Sequence, residues 1–162
     1  MQTTAATQTG APRAAMQGAA LREDDVFLTL TVEGQSCAVP VLAVRDVLGP
    51  HAITRIPMAP REVAGSLNLR GRIVTALDLR LRLGLPPRTG EAQPMSVVVE
   101  QSNELYALLV DQVGEVIPLV AADCAPNPPT LDPLWRDVSR GVYRQEGRLL
   151  IVLDVGRVLA IG

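Results

Sequence analysis

Three groups of side chains in this 162-residue chain are of types that chemistry uses. Cys37 and His51, the latter the chain's one histidine, could form a thiolate–imidazolium pair with Asp46 orienting the ring, as in a cysteine hydrolase. Asp78 and Asp154 could act as paired carboxylates in proton transfer. Six arginines from Arg61 to Arg88, against Glu62 and Asp78, give that stretch a net charge of +4, a candidate nucleic-acid patch. Each group also has a plainer reading. Cys37 lies inside an apolar run, as a core thiol does, and His51 follows Gly49-Pro50, as an exposed loop residue does. Asp78 and Asp154 each close an apolar run just ahead of a short segment, "LRLRLGL" or "VGRVLAIG", whose first free N–H groups a carboxylate can cap. No GxSxG, Walker, GxGxxG or HExxH pattern occurs, and the only other cysteine, Cys124, forms no CxxC or Cys/His cluster. The expectation is no catalytic residue, no metal and no cofactor.

The elements that must position these groups come from an aliphatic core. The chain is 48% hydrophobic, yet its aromatic residues are only Phe27, Tyr106, Trp135 and Tyr143, too few for stacking on single-stranded nucleic acid. All 15 basic residues are arginine and the net charge is −2, which opposes general electrostatic binding to DNA. The acids concentrate elsewhere, with a net −6 from Glu100 to Asp137, an asymmetry suited to partners of patchy charge. No apolar segment is long enough to span a membrane, and residues 1 to 24 lack the apolar middle of a signal peptide, so the cytoplasm is the expected compartment. Those first 24 residues, rich in Ala, Thr, Gln and Gly, are expected to be a flexible tail with at most a short helix near Ala14 to Leu21.

From Val26 the pattern becomes short strands and turns. "VFLTLTVEGQSCAVPV" predicts a hairpin bending at Glu33-Gly34-Gln35, and "SVVVEQSNELYALLV" another at Ser102-Asn103-Glu104. The two align at an offset of 69, which sets Cys37 against Tyr106 and Val44-Arg-Asp-Val-Leu against Val113-Gly-Glu-Val-Ile. "GSLNLRGRIVTALDL" from Gly65 aligns with "GVYRQEGRLLIVLDV" from Gly141 at an offset of 76. Gly65, Gly71, Gly141 and Gly147 therefore have structural duties, with Gly71 and Gly147 in turns that need positive φ, and Asn68 is placed to bond its own turn. "RIVTALDL" and "RLLIVLDV" are expected as strands buried on both faces, and Asp132-Pro133 as the start of a helix ended by Gly141. The whole is a pseudo-duplication: two β-units of about 60 residues each, too small to fold alone, packed together with short helices in their connections.

The same residues carry a family resemblance. Gly65, Asn68, Leu69, Arg70, Gly71, Ile73, Leu77, Asp78, Leu79 and Arg80 match the Gly-x-x-Asn-Leu-Arg-Gly-x-Ile/Val-x-Pro-Val-Ile-Asp-Leu-Arg run of the CheW family of bacterial chemotaxis coupling proteins. "ALLVDQVGEVI" and "RGVYRQEGRLLIVLDVGRVL" resemble later segments of that family, and the likeness covers roughly residues 25 to 160. Departures are Pro40, which suggests an edge strand, Thr75 in place of Pro, Cys37 in place of an aromatic, and an end at Gly162 that would curtail a final helix. The resemblance implies a mainly β domain over 25–162, built of two small five-stranded barrels. It implies a non-enzymatic adaptor between the cytoplasmic tip of a methyl-accepting chemoreceptor and the regulatory domain of a CheA-type histidine kinase, with no nucleic acid and no membrane insertion, recruited to membrane receptor arrays. A pilus or other chemosensory pathway is the alternative setting. By resemblance the receptor would meet Val44, Asp46, Val47 and Arg70 on one wall of a groove and Val113 and Val116 on the other; the kinase would dock on an apolar barrel end whose residues the sequence does not name.

Overall fold

The computed structural model describes residues 25–90 and 93–161, so the expected tail of residues 1–24 and its short helix lie outside the described residues. Strands β1 (Val26–Val32) and β2 (Gln35–Pro40) form the first hairpin, turning through Glu33 and Gly34 at φ 50° and 77°. Positive φ at both turn residues matches the natural strand twist. A 3-10 turn at Val41–Ala43 leads to β3 (Val44–Leu48), and a long loop leads to the hairpin of β4 (Val63–Leu69) and β5 (Arg72–Asp78). Helix α1 (Leu79–Arg82) follows, then the hairpin of β6 (Met95–Gln101) and β7 (Glu104–Val110), then β8 (Gln112–Pro118). Helix α2 (Pro133–Val138), β9 (Ser139–Gln145), β10 (Arg148–Leu153) and α3 (Val155–Leu159) complete the order.

The protein is mainly β, with two five-stranded sheets. Sheet 1 runs β8-β1-β2-β10-β9 and sheet 2 runs β3-β6-β7-β5-β4. The two repeats are not one sheet each. The hairpin β1–β2 of the first repeat joins the three strands β8, β9 and β10 of the second, through a parallel pairing of β2 with β10. The hairpin β6–β7 likewise joins β3, β4 and β5, through a parallel pairing of β5 with β7. Each sheet thus takes strands from both repeats, so neither repeat can bury its own faces alone. The two expected five-stranded barrels are these two five-stranded sheets, which do not close fully: β3 and β4 are the outer strands of sheet 2, and β8 and β9 those of sheet 1, with single bridges from Thr54 to β4 and from Ala125 to β9.

Alternation along the strands divides the core into three. Val97, Val99, Leu108 and Val110 of sheet 2 meet Leu28, Leu30, Cys37 and Val39 of sheet 1 in one central cluster between the sheets. Their neighbours Val98, Ala107 and Leu109 turn into a smaller cluster of sheet 2 alone, with Leu67, Val74 and Ala76, while Ala38 joins Phe27, Tyr143 and Val152 within sheet 1. Runs such as "SVVVE" and "YALLV" lack polar alternation because both of their faces are buried. Helices close the ends of the central cluster with Leu79 and Leu83, Trp135 and Val138, and Val155 and Val158.

Three local expectations are corrected. Ile73, inside the run expected to be buried on both faces, is 71% exposed, because it lies beside the hairpin tip and beyond the reach of either core. Pro40 is not on an edge strand, since β2 is the middle strand of sheet 1. It ends that strand past the Cys37–Ala38 stretch that pairs with β10, so its missing N–H interrupts nothing on that side. Gly141 does not end a helix, because α2 stops at Val138 and Gly141 lies within β9 at φ 151°.

Candidate functional site

The sharpest predicted residue, Arg70, stands at the tip of the β4–β5 hairpin. Arg70 and Gly71 form the turn at φ 51° and 86°, and Asn68 Oδ1 accepts a 2.9 Å hydrogen bond from the Gly71 N–H. The turn is therefore braced by the asparagine, and the arginine side chain projects outward, 77% exposed. Its Nη2 lies 3.2 Å from Oδ2 of Asp46 on β3, while the other Asp46 oxygen accepts from the Val47 N–H at 2.8 Å. The β4–β5 hairpin carries one edge of sheet 2 and β3 is the other edge. The pair therefore links the hairpin tip to β3 across the side where these outer strands are not paired with each other, β4 meeting there only a single bridge from Thr54 at Ser66. Most of the guanidinium donors remain available to a carboxylate or carbonyl of a partner.

The apolar members of the predicted walls lie on edge strands of different sheets. Val44 on β3 and Val113 on β8 are half-buried and pack against the same central cluster. Val47 and Val116 on the same strands are exposed, at 39% and 56%. Both strands carry irregular register, β3 between Val44 and Asp46 against β6, and β8 opposite the Leu28–Leu30 step of β1, where Thr29 Oγ1 donates to the Glu115 carbonyl at 2.8 Å. Such bulges on edge strands re-aim side chains and deter further strand addition. Arg45, between Val44 and Asp46, is tied to Glu100 at 2.6 Å and to the Leu42 carbonyl at 3.0 Å.

The catalytic candidates are held apart from any reactive arrangement. Cys37 is fully buried in the central cluster, and burial pushes its thiol well above the usual range, whereas His51 is exposed in the β3–β4 loop. Tyr106, its repeat counterpart, packs on that same cluster. Asp78 and Asp154 both cap helices, Asp78 Oδ1 accepting from the Arg80 N–H at 2.9 Å and Asp154 Oδ1 from the Arg157 N–H at 3.1 Å. Asp132 does the same for Leu134 at 2.9 Å. Among the described residues no group of three or more His, Cys, Asp and Glu could hold a metal ion.

Half of the arginine patch is drawn into internal partnerships. Arg80 grips Asp111 with two hydrogen bonds, Nε to Oδ1 at 3.0 Å and Nη2 to Oδ2 at 2.7 Å, and pairs with Glu33 through Nη1. Arg88 reaches Asp78 at 3.1 Å and the Leu109 carbonyl at 3.3 Å. Arg82 donates to the Val158 and Arg157 carbonyls, both at 2.9 Å. Burial alone would raise the Asp111 carboxyl, but the bonds from Arg80 and the Glu33 N–H, with the charges of Arg88 and Arg80, outweigh it and hold the group below the usual carboxylate range. These contacts are the feature the sequence reading missed. Its available signal was the Leu-Arg alternation of "LRLRL", in which Leu79 and Leu83 are buried at a spacing of one helical turn, while Arg80 turns to Asp111 between the sheets and Arg82 to the carbonyls of α3.

Comparison with known proteins gives the chain's relatives. The CheW-like domain model matches residues 26–161. The chain is similar to chemotaxis protein CheW of Rhizobium meliloti, 29% identical over 132 residues that cover 82% of this chain and 85% of the relative. It is 28% identical over 133 residues to that of Helicobacter pylori, covering 82% and 80%. Among solved structures it resembles the scaffolding protein TtCheW from Thermoanaerobacter tengcongensis, with a TM-score of 0.75 and 25% identity, over 86% of this chain and 94% of that one. No described helix is long and apolar enough to cross a membrane.

Proposed function

The chain belongs to the CheW-like domain family and is a coupling adaptor of bacterial chemotaxis signalling, and on that premise we propose that it joins the cytoplasmic tip of a methyl-accepting chemoreceptor to the regulatory domain of a CheA-type histidine kinase. It works without turnover, in the cytoplasm, recruited to membrane receptor arrays by the proteins it binds. The observation that carries the receptor half of this reading is the Arg70–Asp46 pair between the β4–β5 hairpin tip and the outer strand β3 of sheet 2. An exposed ion pair of this kind contributes only about 0.2–1 kcal/mol to stability, so its value lies in holding a guanidinium fork in place. A receptor helix offers such a fork carboxylates and carbonyls on its flank. Val44 and Val47 would line that wall with Asp46 and Arg70, and Val113 and Val116 the opposite wall, with the half-buried valines forming the floor and the exposed pair the contact surface. The kinase domain would dock elsewhere, on apolar surface of a sheet end.

Two-partner capture tests the coupling itself. The protein, mixed with an immobilised receptor-tip fragment and a soluble kinase regulatory domain, should retain both in one complex, and the kinase domain alone should not be held by the receptor fragment. Failure to retain any cognate kinase domain or receptor tip would overturn the coupling reading.

A further inference from the structure

The two sheets are joined covalently at only two places. One is the Val41–Ala43 turn between β2 and β3; the other is the single residue Asp111 between β7 and β8. The second crossing is heavily tied. Asp111 accepts two hydrogen bonds from Arg80, accepts the Glu33 N–H at 2.8 Å, and donates its own N–H to the Thr31 carbonyl at 3.0 Å. Arg88 Nε lies 3.0 Å from Oδ1 without the alignment of a hydrogen bond, and its Nη1 reaches Asp78. Arg80, Arg88 and Asp78 belong to the sheet 2 side, and Glu33 and Thr31 to the first hairpin of sheet 1. The side chains of Arg80, Asp111, Arg88 and Asp78 are all largely buried.

The repeat shows that the fold does not require this arrangement. At the offset of 69, Asp111 corresponds to Leu42 and Ser102 to Glu33; at the offset of 76, Arg80 corresponds to Gly156. The crossing at Val41–Ala43 therefore has none of the equivalent charges, and Leu42 is 49% exposed. A buried ion network is a weak source of net stability, because desolvation offsets its attraction, but its bonds are directional where aliphatic packing is not. We propose that Asp111, Arg80, Arg88 and Glu33 form a one-sided clasp that sets the angle between the two sheets and so positions the β3 and β8 walls of the receptor-facing groove. These are positioning residues, and only the consequence for the groove rests on the receptor reading.

The test is a distance between the sheets, measured without any partner. Spin labels at Arg72→Cys on β5 and Arg144→Cys on β9, in a Cys124→Ser background, report it by pulsed dipolar spectroscopy. Both labelled positions are exposed, and the remaining thiol, Cys37, is buried. The parent should give one narrow distance. Arg80→Gln and Glu33→Gln should shift or broaden it, Arg80→Gln more strongly, while Arg136→Gln, which breaks bonds to the Pro129 and Leu131 carbonyls away from both crossings, should leave it unchanged. An unchanged distribution in folded Arg80→Gln overturns the proposal, as does equal broadening by Arg136→Gln. If Arg80→Gln fails to fold, the exposed Glu33→Gln decides by the same criterion. Receptor affinity measured on the same variants separates the two readings. An altered distance with unaltered affinity keeps the clasp and removes its link to the groove, and an unaltered distance removes the clasp whatever the receptor does.

Discussion

A methyl group added at Gly65 would lie 2.2 Å from the Thr54 carbonyl oxygen, on a backbone at φ 148°. The same change at Gly71, at φ 86°, meets nothing within 4 Å. Gly65→Ala should therefore cost about 2–4 kcal/mol, by clash and backbone strain together, and Gly71→Ala about 1–2 kcal/mol, from the left-handed conformation alone. Denaturant melts of the two variants check the order, and equal losses would contradict it. The sequence showed both as paired repeat glycines, but their different reasons needed the loop strand at Thr54, which bonds Ser66 from outside the hairpin. The thiols divide in the same way. Cys124 is exposed and Cys37 buried with its thiol pushed up, so a thiol reagent should titrate one group in the native protein and two in denaturant. Rapid native modification of both would contradict the placement of Cys37 between the sheets.

At the scale of elements, hairpins and caps were legible because their signals are local. Glu33-Gly34, Ser102-Asn103 and Arg70-Gly71 are turn residues flanked by apolar strands, and Asp78, Asp132 and Asp154 cap helices as their positions indicated. Cap removal should distinguish these aspartates. Asp132→Ala loses only a hydrogen bond at an exposed helix start, about 1 kcal/mol. Asp78→Ala also strips a buried partner from Arg88, about 2–3 kcal/mol in total. Similar melting temperatures for the two would count against the ion network. Acid should act on Asp111. Its folded-state pKa is depressed, so its contribution to stability is complete above the unfolded carboxylate value of about 3.9 and is lost as pH falls through the lower folded value. Stability should therefore fall below about pH 4, and less steeply in Asp111→Asn. An identical acid limb in the two proteins would contradict the assignment. The pairing of β2 with β10 and of β5 with β7 was not legible, because a strand buried on both faces shows only that it is covered and not by what. The duplicated pattern showed two packed units, but not that parallel pairings exchange their hairpins.

Over the whole molecule the sequence carried the mainly β class, the duplication and the family, because the ordered motifs run through nearly all of the matched residues 26–161. The candidate site was partly legible for the same reason. Arg70 and Asp46 are far apart in the chain, and resemblance grouped them, but their ion pair depends on how sheet 2 curls to bring its edges near each other. The clasp at Asp111 was hidden because arginines that serve the interior have the same composition as arginines that serve a ligand. The proposal that Arg70 presents its guanidinium to a chemoreceptor tip is tested most directly by a binding titration of Arg70→Ala and Arg72→Ala against a receptor-tip fragment and, separately, a kinase regulatory domain. Both variants should melt like the parent, since both side chains are exposed. Arg70→Ala should weaken receptor binding by about 1–3 kcal/mol, roughly 5- to 150-fold in Kd, while keeping kinase affinity, and Arg72→Ala should change neither. Receptor binding by Arg70→Ala equal to that of the parent would contradict the account.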